Sequence, residues 1–445
     1  MNQIALGDES GWTVIAGQSV AAPFRQSAVF FAHDASSTLR EKVEVQLVGT
    51  PAQISAALNT LEMICLRAGA YADATYAYPQ LLRFQPEAGG AYYYAKIQDL
   101  WLDADPDHYI SHQRGSMLVH LHYTRPNCFD GDMMELPLTG RSGTDITGGF
   151  DLINHSDAHS AHGSTALVKA QDALTDLPAP LRIELENTYA VSTLKDILVG
   201  VYHHPTGSGE SLFFADANQI SGGTQYTNAG AINETYRTVA WASSEWTPLL
   251  NYGITAADIA DLDGRAYRPI LHLYTAHAYP DLHLKIRLMR GVFTLQSCEP
   301  VYADPDFGYI LFPPIQLPPN PLLRETLPHH VEIQIDALKE DGAAASLSID
   351  QLALLPLDAS ASFQGFYPMD QDDTLIDDSF RGLSNVRYSA AGSETIAHIR
   401  QGGPLLLYPN QNSRLFFVLS NAANTIDIMR TARVRVYYRP RVRLL

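Results

Sequence analysis

Two segments, far apart in the chain, alternate apolar and polar residues with period two and then reach a proline. Residues 117–126 read Met-Leu-Val-His-Leu-His-Tyr-Thr-Arg-Pro, and residues 432–440 read Ala-Arg-Val-Arg-Val-Tyr-Tyr-Arg-Pro. This period places apolar side chains on one face of a β-strand, and a proline cannot donate a hydrogen bond to a neighbouring strand. Both segments therefore predict edge or closing strands, and we expect a mainly β protein.

Composition indicates a globular chain with several domains. At 445 residues the chain is long enough for two to four domains, each with its own core. Hydrophobic residues make up 46% of it and charged residues 18%, which argues against intrinsic disorder. The 23 tyrosines, 26 prolines and 30 glycines are typical of β-strands joined by long loops.

Charge and hydropathy exclude two classes of partner. A net charge of −18 argues against sequence-specific or general nucleic-acid binding, because neutralising phosphates requires clustered Lys and Arg. The sequence has no signal peptide and no apolar run of about 18 residues, so we expect no membrane span and synthesis in the cytoplasm. Cys65, Cys128 and Cys298 lack metal-ligand spacing, which predicts reduced thiols, and no cofactor is expected.

Residues 1–133 predict an α+β domain with one amphipathic helix over residues 51–69. Thr50 and Pro51 supply an N-cap and a proline in the first turn, and apolar residues then recur every three or four positions until Gly69. The predicted strands of this domain cover residues 41–48, 79–84, 91–102 and 116–124.

The rest of the chain predicts two further β-regions. Residues 134–357 contain roughly nine strand-like runs with no helix between them, which is typical of a two-sheet sandwich of the jelly-roll type. Residues 358–445 hold short aromatic strands separated by turn dipeptides, and we expect this piece to pack on the first domain or on a neighbouring subunit. The predicted fold class is therefore mainly β, a β-sandwich or jelly roll, with an α+β N-terminal domain.

A histidine-rich loop offers the first candidate ligands for a metal ion. Imidazole and carboxylate groups suit zinc or nickel, but the spacing matches no standard ligand pattern and no neighbouring residues orient the ligands. A mobile loop without metal is the favoured interpretation. The aspartates of residues 130–132 and 370–378 lack the twelve-residue calcium-loop pattern and are interpreted as solvated turns. The four loop residues are His155, Asp157, His159 and His162.

No catalytic motif is present, and we expect a protein that is not an enzyme. Phosphate-loop, dinucleotide-binding and nucleophile-elbow patterns are absent from the sequence. Glu184 and Glu186 could form a glycosidase acid and base pair, but carboxylates two residues apart on an exposed strand face are more often solvated surface groups.

Aromatic residues of the middle region are the best candidates for binding a ligand. Sugars bind against aromatic faces, with directional polar groups around them. The competing interpretation, that these side chains fill the core, applies to each of them. The main candidates for glycan binding are Trp241, Trp246, Tyr252 and Tyr274, and Tyr226, Tyr236 and Tyr279 belong to the same set.

The order of these motifs resembles a known family of virion proteins. A strand is followed by the helix beginning Thr-Pro-Ala-Gln-Ile-Ser-Ala-Ala-Leu (residues 50–58), the strand ending His-Leu-His-Tyr-Thr-Arg-Pro, and Leu-Pro-Ala-Pro-Leu-Arg-Ile-Glu-Leu-Glu (residues 177–186). The chain closes with Val-Tyr-Tyr-Arg-Pro. Nearly the full length resembles tail proteins of long-tailed bacteriophages, particularly the distal tail protein type with an inserted carbohydrate-binding-like sandwich.

The resemblance implies a structural protein of the virion tail, placed at the distal tail or baseplate. It implies a ring of identical subunits, often a hexamer, with the tail tube, the tail-tip hub and a host-surface glycan as further partners. Two alternatives stay open: a free-standing carbohydrate-binding lectin or adhesin, and a glycan hydrolase. A charged strand edge that meets a neighbouring subunit is favoured over DNA binding for Arg433, Arg435, Arg439 and Arg441.

Overall fold

Antiparallel β-strands make up most of the structure, with one α-helix and one short 3-10 helix (Ala170–Asp172) in the part of the chain that is described. The chain divides into two compact units. Unit 1 comprises residues 1–134, 175–179 and 439–445, and unit 2 comprises residues 135–174 and 180–438. The computed structural model describes residues 3–17, 22–25, 29–30, 37–73, 75–76, 78–103, 115–140, 143–153, 165–191, 193–204, 214–228, 231, 234–254, 265–318, 331–380, 385–395, 398–421 and 431–443.

The described residues of unit 1 form two sheets and the helix. Its elements are β1 (Gln3–Asp8), β2 (Gly11–Gly17), β3 (Phe24–Arg25), β4 (Val29–Phe30), β5 (Thr38–Val48), α1 (Pro51–Ala72), β6 (Leu81–Gln85), β7 (Tyr93–Lys96), β8 (Gln98–Asp103), β9 (Ser116–Pro126), β10 (Phe129–Asp130) and β38 (Arg441–Val442). Sheet A has the strand order β2-β1-β6-β7-β10-β38. Sheet B has the order β3-β5-β9-β8, with β4 also paired to β5.

Helix α1 begins at a capping box and packs on sheet B. The Thr50 hydroxyl accepts a hydrogen bond from the Gln53 backbone N–H at 3.3 Å, and the Gln53 side chain accepts the Thr50 N–H at 2.9 Å. The helix extends to Ala72, three residues beyond Gly69. It ends at its C-cap residue Asp73, whose backbone N–H donates a hydrogen bond to the Gly69 carbonyl. The buried face of α1 shares one core with the apolar faces of sheets A and B.

In the part of unit 2 that is described, the strands form four sheets. Its elements are β11 (Met134–Glu135), β12 (Leu138–Thr139), β13 (Asp145–Ile146), β14 (Phe150–Ile153), β15 (Thr165–Val168), β16 (Ala179–Glu186), β17 (Leu194–His204), β18 (Phe214–Asp216), β19 (Thr224–Thr227), β20 (Thr235–Trp241), β21 (Thr247–Ile254), β22 (Ala266–Leu273), β23 (Leu282–Arg290), β24 (Phe293–Ser297), β25 (Val301–Tyr302), β26 (Tyr309–Leu311), β27 (Ile315–Gln316), β28 (Val331–Lys339), β29 (Ala345–Pro356), β30 (Ser360–Met369), β31 (Thr374–Asp378), β32 (Asn385–Tyr388), β33 (Glu394–Thr395), β34 (His398–Gly402), β35 (Leu406–Leu407), β36 (Asn412–Asn421) and β37 (Thr431–Tyr438). β11 and β16 each include one residue of unit 1 at the boundary.

The strands of unit 2 are arranged in sheets C, D, E and F. Sheet C has the order β11-β37-β16-β31-β32-β33, with β14 on β37 and β35 on β16, and sheet D has the order β13-β12-β15-β36-β17-β30-β34. Sheet E has the order β19-β20-β29-β22-β26, with β18 on β29 and β27 on β22. Sheet F has the order β21-β28-β23-β24, with β25 on β23.

Sheets D, E and F contribute to one hydrophobic core. Leu271 and Leu347 of sheet E are buried with Ile286 of sheet F in this cluster. Tyr202 and Phe416 of sheet D belong to the same cluster, and the Tyr202 hydroxyl donates a hydrogen bond to the Leu354 carbonyl. Sheet E therefore packs against sheet F with one face and partly against sheet D with the other.

Strands of the C-terminal region pair with strands from much earlier in the chain. β30, β34 and β36 join β15 and β17 in sheet D, and β37 lies between β14 and β16 in sheet C. Buried apolar pairs specify the register between β37 and β16, since Val434 lies opposite Leu185 and Val436 opposite Ile183. Residues 358–438 thus complete the sheets of residues 134–204.

No helix in the described part of the chain combines the length and apolar character that crossing a bilayer requires.

A buried aspartate fixes the first hairpin of unit 1. The Asp8 carboxylate accepts hydrogen bonds from the Ser10 backbone N–H at 2.8 Å, the Tyr76 hydroxyl at 2.8 Å and the Gln80 side-chain amide at 2.7 Å. Burial acts to raise the pKa of Asp8, but these bonds, with one from the Ser10 hydroxyl, outweigh it and lower the pKa below its ordinary value. Asp8 therefore stabilises unit 1 in its charged form.

We expect Asp8→Asn to lower the free energy of unfolding by about 2 kcal/mol near neutral pH, the range for hydrogen bonds to a charged group. A carboxyl whose pKa is lower in the folded protein than in the unfolded chain stabilises the folded protein at pH values above the unfolded pKa. This contribution is lost as the pH falls through the folded pKa. The difference between wild type and Asp8→Asn should accordingly shrink below about pH 4. Urea unfolding across pH measures it, with exposed Glu87→Gln as the control. A difference that grows on acidification would contradict the prediction.

Candidate functional site

Three tyrosines form a stacked row, the tyrosine ladder, on one face of sheet E. Tyr226 on edge strand β19 lies opposite Tyr236 on β20, with ring centroids 5.4 Å apart and 20° between the planes. Tyr274, which follows β22, stacks on Tyr236 at 4.1 Å and 13°. Tyr236 is the middle ring and is held between its two neighbours. The open ring face at the β19 end of the row therefore belongs to Tyr226, which is 46% exposed.

A row of hydroxyl groups borders the ladder on the same face of sheet E. Alternate residues of a strand share a face, so Thr238 lies on the same side as Tyr236, and Thr224 on the same side as Tyr226. The Thr238 hydroxyl is 3.0 Å from the hydroxyl of Ser348 on β29. Aromatic rings beside directional polar groups form the type of surface that binds sugars.

An arginine on the opposite face of β20 holds the hairpin β19–β20 in place. Arg237 donates hydrogen bonds to the Ala217 carbonyl at 2.6 Å, the Gly222 carbonyl at 2.9 Å and the Gln225 side-chain oxygen at 3.1 Å. Gly223 has φ of +62°, and a Cβ there would lie 2.5 Å from the Thr238 carbonyl oxygen. The backbone that carries Tyr226 and Tyr236 is thus fixed from behind, which favours a preformed binding surface.

The other predicted glycan-binding aromatics lie elsewhere. Trp241 and Tyr252 are buried in the core shared by sheets E and F, because their positions on β20 and β21 face inward, and their rings offer no face to a ligand. Trp246 is half-buried, and the Lys285 ammonium lies 4.2 Å from its ring centroid. Tyr274 is the one main candidate that the structure brings together with the exposed ladder.

The four arginines expected at a subunit contact all have partners within the chain. Arg433 Nε lies 3.1 Å from the Asp151 carboxylate, and Arg435 Nε donates to the Gly148 carbonyl at 3.1 Å. Arg439 lies 3.8 Å from the Glu9 carboxylate, and Arg441 binds the Asp130 carboxylate at 2.7 and 3.4 Å. Arg433, Arg439 and Arg441 are thus paired with carboxylates of the same chain, and Arg435 with a backbone carbonyl.

The structure provides no support for a metal site in the residues it describes. His155, Asp157, His159 and His162 lie outside the described residues. Elsewhere in the described ranges, no group of three His, Cys, Asp or Glu side chains is arranged to hold a metal ion. Two carboxylates from the aspartate-rich segments bind arginine instead, Asp130 to Arg441 and Asp377 to Arg400.

The proposed glycosidase pair lies within a charged stretch of sheet C. Arg182 donates to Glu184 Oε1 at 2.9 and 2.6 Å. In the register of β16 and β37, Glu184 lies opposite Arg435 and Glu186 opposite Arg433. Both carboxylates therefore have arginines as their cross-strand neighbours in sheet C.

Supporting residues of the ladder were not among the sequence candidates. Arg237 and the hydroxyls of Thr238 and Ser348 are ordinary strand residues in the sequence. The available signal is the hairpin pattern, in which Gly222-Gly223 precedes Thr-Gln-Tyr-Thr and the matching Thr-Tyr-Arg-Thr follows at residues 235–238. When one segment is read in reverse, as antiparallel pairing requires, the two tyrosines match, which predicts a cross-strand aromatic pair.

Comparison with known proteins gives no family for this chain. No family model matches the sequence, and no curated protein matches it either.

Several solved structures show a weak similarity. A tripod from the baseplate of bacteriophage Tuc2009 is 9% identical with a TM-score of 0.18, and the match covers 47% of this chain and 98% of that chain. The CBM22-1–CBM22-2 tandem of Paenibacillus barcinonensis Xyn10C is 9% identical with a TM-score of 0.19, covering 57% and 92%. The VP2 subviral particle of infectious bursal disease virus is 8% identical with a TM-score of 0.19, covering 71% and 80%. TM-scores this low do not establish a shared fold.

Proposed function

We propose that this protein is a non-catalytic structural component of a bacteriophage tail that contacts a carbohydrate through the tyrosine ladder. The observation that carries the carbohydrate contact is the stack of Tyr226, Tyr236 and Tyr274 on an outer sheet face, bordered by hydroxyl groups. The tail role is supported by the resemblance of the motif order to distal tail proteins. In this proposal the protein is a ring-forming adaptor of the distal tail or baseplate, located in the virion.

Unit 1 offers apolar surface for assembly of the ring. Met63 and Leu66 lie three residues apart on α1, and both side chains are exposed to solvent. Residues at this spacing share a helix face, and burying them against a second copy would be favourable. We place the self-contact on this face of α1, together with the four C-terminal arginines. A hexameric ring that meets the tail tube and the tail-tip hub belongs to this proposal.

A free-standing lectin or adhesin is the second candidate, and the same tyrosine ladder favours it. The two candidates differ in the state of assembly, because a tail adaptor forms a closed ring whereas a lectin does not require one. Mass photometry and negative-stain imaging of the full chain at micromolar concentration distinguish them. Rings support the tail adaptor. A purely monomeric protein would refute the ring and leave the lectin.

Glycan binding is expected to depend on the terminal ring of the ladder. We expect Tyr226→Ala to weaken binding at least about tenfold, equivalent to about 1.4 kcal/mol, because it removes the open ring face. Tyr236→Leu should also weaken binding, since Tyr226 then loses the ring that holds it. A glycan array followed by calorimetric titration of the strongest glycan measures the effect. The matched control is Phe293→Ala, an exposed aromatic on β24 of sheet F. Equal binding by wild type and Tyr226→Ala would exclude the ladder as the contact.

A further inference from the structure

A second candidate binding site lies in a cleft between sheets D and E of unit 2. Two cavities of about 240 and 500 Å³ adjoin each other there, and we call them the inner and outer cavity of the D–E cleft. They share four lining residues, so they form one continuous cleft. The combined space is within the usual size of small-molecule sites. The shared residues are Asp196, Tyr309, Leu311 and Gln364.

The two walls of the inner cavity differ in chemistry. Sheet D supplies polar residues for half of its lining, among them Asp196, Ser362 and Ser420. Sheet E supplies mainly apolar side chains, among them Ile270 and Leu355. A sugar ring has the same two-sided character, with hydroxyl groups around its edge and C–H groups on its faces. The contrast between the walls therefore fits a saccharide better than a uniformly apolar ligand.

A tyrosine and a carboxylate form a polar cluster where the two cavities join. Tyr309 on β26 contacts Asp196 and Ser420, and the Ser420 hydroxyl donates to Asp196 Oδ2 at 3.4 Å. Burial raises the pKa of Tyr309 to about 12, with the Asp196 charge adding to the rise, so the hydroxyl stays protonated. The outer cavity adds the aromatic rings of Tyr302 and Phe307. These groups supply ring faces, a donor and an acceptor for sugar hydroxyls.

An arginine with no partner among the described residues lies toward the other end of the inner cavity. In the register of sheet E, Tyr309 lies opposite His272 and Leu311 opposite Ile270. Arg268 comes two residues further along β22, so it lies about 13 Å from the level of Tyr309. It lines the cavity, is only partly exposed, and has no hydrogen-bond or ion-pair partner in the described part of the chain. A half-buried guanidinium with no counter-charge in the described ranges favours an anion from outside the chain.

We infer that the D–E cleft binds an oligosaccharide that carries a carboxylate, with an acidic sugar residue reaching Arg268 in the inner cavity. The neighbouring sugar residue then occupies the outer cavity against Tyr302 and Tyr309. Asp196 and Gln364, at the junction, accept and donate hydrogen bonds to its hydroxyl groups. The inference deepens the proposed function, since it names the class of saccharide and a site separate from the tyrosine ladder.

Calorimetric titration with a hexuronate disaccharide and with the matched neutral hexose disaccharide tests the inference on the full chain. Wild type should bind the acidic sugar at least tenfold more tightly than the neutral one. Arg268→Gln should remove that preference, because a neutral amide cannot pair with the carboxylate. Arg265→Gln, which changes an arginine three residues away outside the cleft, should keep it. Equal affinities in wild type, or an unchanged preference in Arg268→Gln, would overturn the inference.

Two further variants separate this site from the ladder and from a folding defect. Ser362→Leu places a larger apolar side chain in the inner cavity and should abolish binding of both disaccharides while the thermal unfolding temperature stays within a few degrees. Phe293→Ala, at an exposed aromatic that lines neither the cleft nor the ladder, should leave the acidic disaccharide's affinity unchanged. Loss of its binding in Tyr226→Ala, with binding kept in Ser362→Leu, would assign the saccharide to the ladder and overturn the cleft. Absence of binding by wild type would also overturn the cleft, whereas the ladder is judged by its own glycan screen.

Discussion

Arg125→Ala is expected to lower the free energy of unfolding of unit 1 by about 3–5 kcal/mol, the cost of leaving a buried charge unpaired. Arg125, in the first of the two strand endings, donates to both carboxylate oxygens of Glu41 at 2.8 and 2.6 Å, and both side chains are nearly inaccessible to solvent. Its guanidinium also lies 4.4 Å from the ring centroid of Phe129. Removing it leaves the Glu41 carboxylate in the interior without its counter-charge.

Hydrogen exchange of the β5 and β9 amides, compared with those of β23 and β28 in unit 2, localises the loss to unit 1. Arg40→Ala, an exposed arginine on β5, is the control and should change stability by less than about 0.5 kcal/mol. The double variant Arg125→Met with Glu41→Leu should be less destabilised than Arg125→Ala, because it removes both charges. Protection of β5 and β9 that matches wild type in Arg125→Ala would show that the pair is not needed.

Gly200→Ala is expected to destabilise unit 2 by about 3 kcal/mol, near the upper end for added bulk in a packed core. Gly200 on β17 lies directly opposite Phe416 on β36, and a Cβ at Gly200 would lie 1.8 Å from a ring carbon of Phe416. The Phe416 ring is fully buried and packs at 4.7 Å from the Tyr202 ring, so it has no space to withdraw. Thermal unfolding monitored by circular dichroism measures the loss.

The matched control is a glycine with open space around it. Gly69 lies on the exposed side of α1, and a Cβ there would meet no atom within 4 Å. Gly69→Ala should therefore stabilise the chain by about 0.5–1 kcal/mol, since alanine is the better helix former. Adding Phe416→Leu to Gly200→Ala should recover part of the stability. Equal effects of Gly200→Ala and Gly69→Ala would contradict the steric explanation.

Local patterns in the sequence predict individual elements well but not their partners. The Thr50-Pro51 pair places the start of α1, and the period-two alternation identifies β5 and β9 as strands. These patterns do not predict which strands pair. For example, β16 and β37 pair although some 250 residues separate them, and those residues carry no local signal of the contact. The two strand endings illustrate this, since β9 lies in sheet B of unit 1 and β37 in sheet C of unit 2.

The candidate site shows the same division. The sequence identifies a set of middle-region aromatics, but on β20 both Tyr236 and Trp241 fit a strand, and alternation alone does not say which face is open. Sheet E is partly covered on both faces, and a register irregularity between His272 and Leu273 interrupts the alternation along β22. The D–E cleft is even harder to predict from the sequence, because its walls combine residues from segments near 196, 268, 309 and 362.

The pairing of β10 with β38 has a consequence for synthesis on the ribosome. Asp130 and Arg441, which form an ion pair across this contact, are 311 residues apart in the chain. At the usual 5–20 residues per second, β10 emerges about 15–60 s before the strand that covers it. During that interval the growing chain carries an open sheet edge, a species prone to pair with another nascent chain. The edge at β10 is thus covered only when translation reaches β38.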